Sequence, residues 1–304
     1  MMLYYKIFHK TEFNYTQLIS FSHNLACLKP RDTARQQLLD FEMEISPQTP
    51  QIHHHRDYFD NYVTYLEVEK PHRRLTVTTT SLVRFDRSAS YHKEHPALCD
   101  MTLSRALKRL ADPREIETIM AKEYCYTSPL LPPGDPALKA YAASSFAPDR
   151  PLFEAAREFM GRIYEDFAFT PGFSDVTTPV SEVFVQKKGV CQDFAHLAIT
   201  ALRMLGLPAR YVSGYIETLP PEGEEKLFGV DASHAWYAIY FPGVGWIGFD
   251  PTNNLLPKEQ HIVLGWGRDY GDVVPLRGVV VGTGHSRLSV SVDVRRVAAP
   301  AAQS

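Results

Sequence analysis

The chain has 304 residues, of which 44% are hydrophobic and 22% are charged, and its formal net charge at pH 7 is −3. These values are typical of a globular protein large enough for two domains, and they exclude the strongly basic surface expected of a nucleic-acid or anionic-membrane binder. The four cysteines have no paired spacing, so we expect neither a disulfide framework nor a zinc site.

The first ten residues lack the features of a secretory signal. They are apolar but interrupted by Lys6 and His9, and no small-residue cleavage site follows them. No stretch of the chain is long and uncharged enough to span a membrane. Together with unpaired thiols, this predicts a cytoplasmic protein with no membrane partner, while the oligomeric state stays open.

Residues 1–88 are predicted to form an all-β domain. Runs of β-branched and aromatic residues are separated by turn residues such as Asp60-Asn61. The run 75–83 alternates in part between apolar and polar residues, as in a sheet with one solvated face. A metal role for His53-His54-His55 is not favoured, because neighbouring side chains on an extended chain point to opposite faces. The expected strands are 4–8, 22–28, 38–46, 62–68 and 74–85.

The rest of the chain divides into three parts. Prolines punctuate 89–150, which is predicted to be a mixed helical and loop connector. Residues 151–297 are predicted to be the catalytic core, with a helix over 151–164, a loop over 166–183, and strands over 279–281 and 286–294. Residues 298–304 are predicted to be a disordered tail.

A single cysteine at the start of an amphipathic helix is the first sign of chemistry. After Cys191, apolar residues recur at helical spacing to Leu205, and Gly206 and Pro208 then end the helix. Unpaired N–H groups and the helix dipole favour the thiolate, which is the nucleophilic form. Asp193 suits the first turn of such a helix, and His196 is interpreted as a packed or capping residue rather than as a second base.

Two predicted strands downstream supply a base and an orienting group. His234 lies near the start of the strand 231–241, and Asp250 ends the strand that follows the turn at 242–245. The two residues are about equally far from that turn, so a hairpin places them side by side. Cys191, His234 and Asp250 therefore form a candidate triad of nucleophile, general base and tautomer-fixing carboxylate.

Four sequence blocks in this order resemble the bacterial transglutaminase-like superfamily. They are Gly-Val-Cys-Gln-Asp-Phe-Ala-His-Leu at 189–197, Gly-Leu-Pro-Ala-Arg-Tyr-Val-Ser-Gly-Tyr at 206–215, Asp-Ala-Ser-His-Ala-Trp at 231–236, and Gly-Phe-Asp-Pro-Thr-Asn-Asn at 248–254. Segments 28–33 and 267–278 resemble the flanks of this core. The resemblance implies an α+β fold with a papain-like core after an N-terminal all-β domain, and by matching position it assigns the triad to Cys191, His234 and Asp250.

The expected activity is cysteine-dependent acyl transfer on a peptide or protein substrate, most simply hydrolysis of a peptide or amide bond. Protein-glutamine transamidation and a non-catalytic scaffold with an intact triad are the alternatives. No cofactor or metal is expected, and no acidic loop has calcium-ligand spacing. Gln186 could donate to an oxyanion, as a glutamine does in papain-like enzymes, but its spacing from Cys191 matches theirs only approximately. It is therefore not assigned to the site.

Overall fold

The computed structural model describes residues 2–87, 97–218 and 232–300. Its strands are β1 (Met2–Ile19), β2 (Phe21–Ala26), β3 (Gln36–Ser46), β4 (Ile52–Arg56), β5 (Tyr62–Val68), β6 (His72–Asp86), β7 (Ala168–Phe169), β8 (Lys188–Gly189), β9 (Ala209–Ile216), β10 (Ala232–Phe241), β11 (Gly245–Phe249), β12 (His261–Gly267), β13 (Leu276–Val281) and β14 (Ser286–Val297). Its α-helices are α1 (Ala97–Asp100), α2 (Leu103–Ala111), α3 (Ile116–Ala121), α4 (Pro136–Ala143), α5 (Leu152–Asp166), α6 (Val180–Gln186) and α7 (Cys191–Met204). The predicted α+β class is confirmed.

The first six strands form a β-sandwich. One sheet has the order β14-β1-β6-β3 and the other has the order β13-β2-β5-β4. The inner faces share a core in which Val77 and Ile45 of the first sheet meet Leu66 and Val68 of the second. This arrangement follows from strands that alternate between apolar and polar residues, because each sheet has one face to bury.

The last two strands of the chain complete this sandwich. β14 pairs antiparallel with β1, from Tyr4 opposite Val297 to Tyr15 opposite Ser286. β13 pairs with β2 in the other sheet. The sequence placed these strands in the catalytic segment by their position in the chain. Their hydrogen-bond partners lie instead in the N-terminal strands, because pairing between the two ends of a chain leaves no local signal.

The catalytic half packs helices against a four-stranded antiparallel sheet. The sheet order is β11-β10-β9-β12. Helices α5 and α7 bury Phe159, Phe194 and Leu202 against β10 and β11, in the largest core cluster of the described residues. A second cluster joins the sandwich to the four-stranded sheet, with Tyr5 of β1 and Ile262 of β12 among its members. The two halves therefore share buried apolar surface.

Some predicted boundaries were wrong. The helix predicted over 151–164 is α5, which continues to Asp166, and the predicted loop 166–183 contains β7 and the first part of α6. Helix α6 escaped detection because it is short and buries only Val183, too little for a helical apolar period. Strand β1 extends well beyond the predicted 4–8, since its later residues pair with both β6 and β14.

Three predictions fall partly outside the described residues. One is the predicted connector 89–150, of which 89–96 are not described. The predicted strand 231–241 begins in the structure at Ala232, and residue 231 lies outside the described part. Of the predicted disordered tail, 298–300 have no regular secondary structure and 301–304 are outside the described ranges. Across those ranges, none of the helices combines the length and apolar character needed to cross a membrane.

Candidate active site

Cys191 is the first residue of α7, as the sequence predicts. The carboxylate of Asp193 turns back and accepts a hydrogen bond from the backbone N–H of Val190 at 2.7 Å, which caps the start of the helix. The hydroxyl of Ser174, from the segment before α6, donates to the same carboxylate. This cap fixes the first turn of α7 and with it the half-buried thiol of Cys191.

The β10–β11 hairpin places His234 beside Asp250. Its register pairs Tyr237 with Phe249, so the strands bring the residue that follows β11 next to the first part of β10. His234 Nε2 lies 2.8 Å from Asp250 Oδ2, and both side chains are buried. The predicted juxtaposition of imidazole and carboxylate is therefore present.

His234 also interacts with the side chain of Cys191, and both residues line the same cleft. Burial by itself would lower the pKa of His234, but the hydrogen bond with Asp250 and the interaction with Cys191 outweigh it and raise the pKa to about 10. The imidazole is therefore held as imidazolium at neutral pH. The ring therefore presents a positive charge to the side chain of Cys191 at the N-terminus of α7.

Asp250 is fully buried and is surrounded by donors. Its Oδ1 accepts backbone N–H bonds from Thr252 at 3.0 Å and Asn253 at 3.2 Å. Its Oδ2 accepts from the Asn253 side-chain amide at 2.8 Å as well as from His234. Burial alone would raise the pKa of this carboxyl group, but the hydrogen bonds from His234 and His261 hold it well below its usual range. The carboxylate is thus ionised and fixed in orientation.

His261, at the start of β12, is a part of the site that sequence reasoning missed. Its Nε2 lies 3.0 Å from Asp250 Oδ2, and its Nδ1 accepts the backbone N–H of Lys258 at 3.3 Å. Because a backbone N–H can only donate, Nδ1 carries no proton and Nε2 donates to the carboxylate. Burial lowers the pKa of His261, although Asp250 opposes this, so the ring is neutral. Only the pairing of β12 with β9 brings it here.

One group of side chains in the described part of the chain could also hold a metal ion. It consists of His234, Asp250 and His261, whose donor atoms lie within 4.8 Å of one another. The hydrogen bonds account for the nitrogen atoms that face Asp250, and the carboxylate already accepts from five donors. The donor set therefore serves a hydrogen-bond network, which does not require an ion.

A cleft of about 390 Å³ opens at the thiol. Its lining includes Cys191 and Gln192 of α7, together with His234 and Tyr211 of the four-stranded sheet. Residues of the sandwich strands β1 and β14 line it as well. Both halves of the molecule thus contribute to the space in which a substrate would meet the thiol.

The other residues considered from sequence lie away from the reacting atoms. Gln186 is exposed at the end of α6 and does not line the cleft. His196 is buried, and its Nε2 accepts the backbone N–H of Tyr270 at 3.1 Å, while burial lowers its pKa to about 4. His54 of β4 bonds the hydroxyl of Thr64 at 3.0 Å. Each has a local structural partner or an exposed position.

Family models match both halves of the chain. Residues 5–84 match the bacterial transglutaminase-like N-terminal region. Residues 139–251 match the transglutaminase-like superfamily core, a range that includes Cys191, His234 and Asp250. These matches confirm the resemblance that was based on the four sequence blocks.

Relatives match along most of the chain. An uncharacterized protein of Mycobacterium tuberculosis is 39% identical over 95% of this chain and 92% of its own length. An uncharacterized protein of Mycobacterium leprae is 31% identical over 96% of this chain and 99% of its own length. A protein-glutamine gamma-glutamyltransferase of Pseudomonas aeruginosa is 33% identical, but over only 32% of this chain and 15% of its own length.

A solved structure shares the fold over almost the whole chain. The structure, from Cytophaga hutchinsonii, bears the name "Putative Cysteine Protease"; it matches with a TM-score of 0.75 at 19% identity, covering 98% of this chain and 92% of that one. At this identity the match shows the fold alone. With the family matches to both halves, the chain belongs to the transglutaminase-like superfamily.

Proposed function

We propose that this protein is a cysteine-dependent acyl-transfer enzyme that hydrolyses peptide or amide bonds. The observation that carries the proposal is the imidazole of His234, which is hydrogen-bonded to the buried carboxylate of Asp250 and shares a cleft with the side chain of Cys191. Thiol, imidazole and carboxylate in this order are the parts of a nucleophile, base and orienter triad.

The proposed reaction has two stages. The thiolate of Cys191 adds to the substrate carbonyl, and backbone N–H groups at the start of α7 stabilise the oxyanion. His234, held as imidazolium, donates its proton to the departing amine, which leaves a thioester on Cys191. The neutral imidazole then takes a proton from water as the water attacks the thioester. The carboxylic acid product is released, and the thiolate–imidazolium pair is restored.

Transamidation is the second candidate. It would share the thioester but release it to a primary amine instead of water. The partial match to the protein-glutamine gamma-glutamyltransferase of Pseudomonas aeruginosa supports this alternative for the catalytic segment. A scaffold that never uses its triad is the third candidate, and the imidazolium held between Cys191 and Asp250 argues against it.

Two assays with two variants separate these candidates. Release of p-nitrophenol from a p-nitrophenyl ester tests acyl transfer, and incorporation of dansylcadaverine into casein tests transamidation. We expect Cys191→Ala to abolish ester turnover, and Cys125→Ala, a thiol that does not line the cleft, to retain it. Amine incorporation by the wild type would favour the transamidase. Equal turnover by wild type and Cys191→Ala would refute the mechanism.

The cellular context is part of the proposal. We place the protein in the cytoplasm with a peptide or protein substrate and no nucleic-acid partner, in line with its composition and its net charge of −3. Fractionation of cells that express the full chain tests the location.

A further inference from the structure

One wall of the cleft is built by strands β1 and β14, which come from opposite ends of the sequence. In the β1–β14 ladder, His9 lies opposite Val292 and Thr11 lies opposite Val290. All four residues line the cleft, as does Leu288 one step further along β14. Residues opposite one another in a ladder share a face, so these side chains form one continuous patch.

The exposure of the aliphatic side chains on this wall increases along β14 from Val292 to Leu288. Val292 is 1% exposed, Val290 is 49% exposed and Leu288 is 54% exposed. They alternate along β14, so all three are on the same face of the strand. Because β14 has a partner on one side only in its sheet, the wall continues to an open strand edge. The patch therefore runs from the bottom of the cleft to the surface.

Apart from Cys191 and His234, the described residues that line the cleft carry no charged side chain. Among its described lining residues there is no aspartate, glutamate, lysine or arginine. His9 is neutral, because burial lowers its pKa to about 4. Burial also raises the pKa of Tyr211 and of Tyr270, which keeps both phenols uncharged. A charged substrate side chain would lose water here without gaining a counter-ion, whereas an aliphatic one would bury apolar surface.

We propose that the cleft is an aliphatic specificity site, in which an uncharged aliphatic side chain beside the scissile carbonyl packs on Leu288 and Val290. The inference rests on the proposed acyl-transfer function and names its substrate class. The occupant is the acyl-donor segment of the substrate, because the patch is continuous with the space in front of the Cys191 thiol. The N-terminal sandwich thereby acquires a role in substrate selection.

Matched covalent reagents test this specificity. N-acetyl-leucyl and N-acetyl-aspartyl chloromethyl ketones carry the same electrophile and differ in the side chain. We expect the leucyl reagent to alkylate Cys191 about tenfold faster in the wild type, from partial burial of its side chain. Val290→Asp should remove this preference. Val279→Asp, on β13 at 68% exposure and away from the cleft, should retain it.

A binding measurement on the inactive protein separates this inference from the proposed chemistry. In Cys191→Ala, saturation-transfer NMR compares a leucine-containing acetylated pentapeptide with its aspartate counterpart. Stronger transfer to the leucine peptide, lost in the double variant with Val290→Asp, supports the aliphatic site even if Cys191 proves unreactive. Equal rates with both reagents in the wild type, or equal transfer to both peptides, would overturn it.

Discussion

His261 is predicted to support catalysis without touching the reacting atoms. It donates from Nε2 to the carboxylate that orients His234, and its ring is held in place by the N–H of Lys258. Replacement by leucine removes the donor and leaves the side of Asp250 that faced it without a partner. Replacement by glutamine keeps a donor at a similar reach, because a glutamine amide nitrogen can stand near the position of a histidine Nε2.

The size of the effect follows from the nature of this hydrogen bond. The acceptor is ionised and fully buried, and the donor is 2% exposed. A hydrogen bond to a charged group contributes about 1.5–3 kcal/mol. If that stabilisation is lost from the transition state, kcat/KM falls about 10–150-fold, since each ~1.4 kcal/mol is a factor of ten. The fall should be in kcat, because His261 reaches the substrate only through Asp250 and His234.

Steady-state kinetics on one ester substrate would compare the wild type, His261→Leu and His261→Gln. We expect kcat to fall in His261→Leu with KM little changed, and much of the loss to be recovered in His261→Gln. Circular dichroism would verify that each variant is folded. Wild-type kcat in a folded His261→Leu, or equal losses in both variants, would show that this hydrogen bond does not support the triad.

Three further predictions concern stability. The raised pKa of His234 contributes stability that is complete below its unfolded value of about 6.5 and is lost as pH rises through about 10. His234→Gln should therefore lower the free energy of unfolding in urea at pH 6, and much less so at pH 10.5. The same loss of unfolding free energy at both pH values would contradict a raised pKa for His234. Asp193→Ala should cost about 1 kcal/mol by removing the cap of α7, and an unchanged urea midpoint would show that the cap is unimportant. Gly214→Ala should cost about 3 kcal/mol, because a Cβ there would lie 2.1 Å from the carbonyl oxygen of Ile262. Gly161→Ala, whose Cβ would have no neighbour nearer than 3.6 Å, is its control. Equal thermal midpoints for the Gly214→Ala and Gly161→Ala variants would refute the steric argument.

The parts of the site that can be predicted from sequence are those defined by residues close together in the chain. The start of α7 follows from the apolar period after Cys191, and the hairpin follows from two β-rich runs around a Pro-Gly turn. His234 and Asp250 are only 16 residues apart, so one turn determines their proximity. Local pattern was sufficient for these elements because no distant partner was needed to define them.

The remaining parts depend on contacts between distant segments. His261 reaches Asp250 only because β12 pairs with β9 on the far side of the sheet from β11. Val290 faces the cleft because β14 returns to β1, nearly 280 residues earlier. Nothing in the sequence around an aliphatic residue on a C-terminal strand indicates that it lines a cleft. The proximity of His234 and Asp250 was therefore predictable, while the contact of His261 and the β14 lining of the cleft were not.

The most direct test of the account is the pH dependence of Cys191 alkylation. Brief treatment with iodoacetamide, followed by peptide mapping, reports each thiol separately. Cys27 and Cys125 are internal controls, since burial raises their pKa to about 12 and about 11.

We predict that Cys191 is labelled already at pH 6, where an ordinary thiol with a pKa of about 8.5 is protonated, and that His234→Ala slows this reaction. Labelling of Cys191 only at alkaline pH, at a rate that loss of His234 does not change, would contradict an activated thiolate–imidazolium pair.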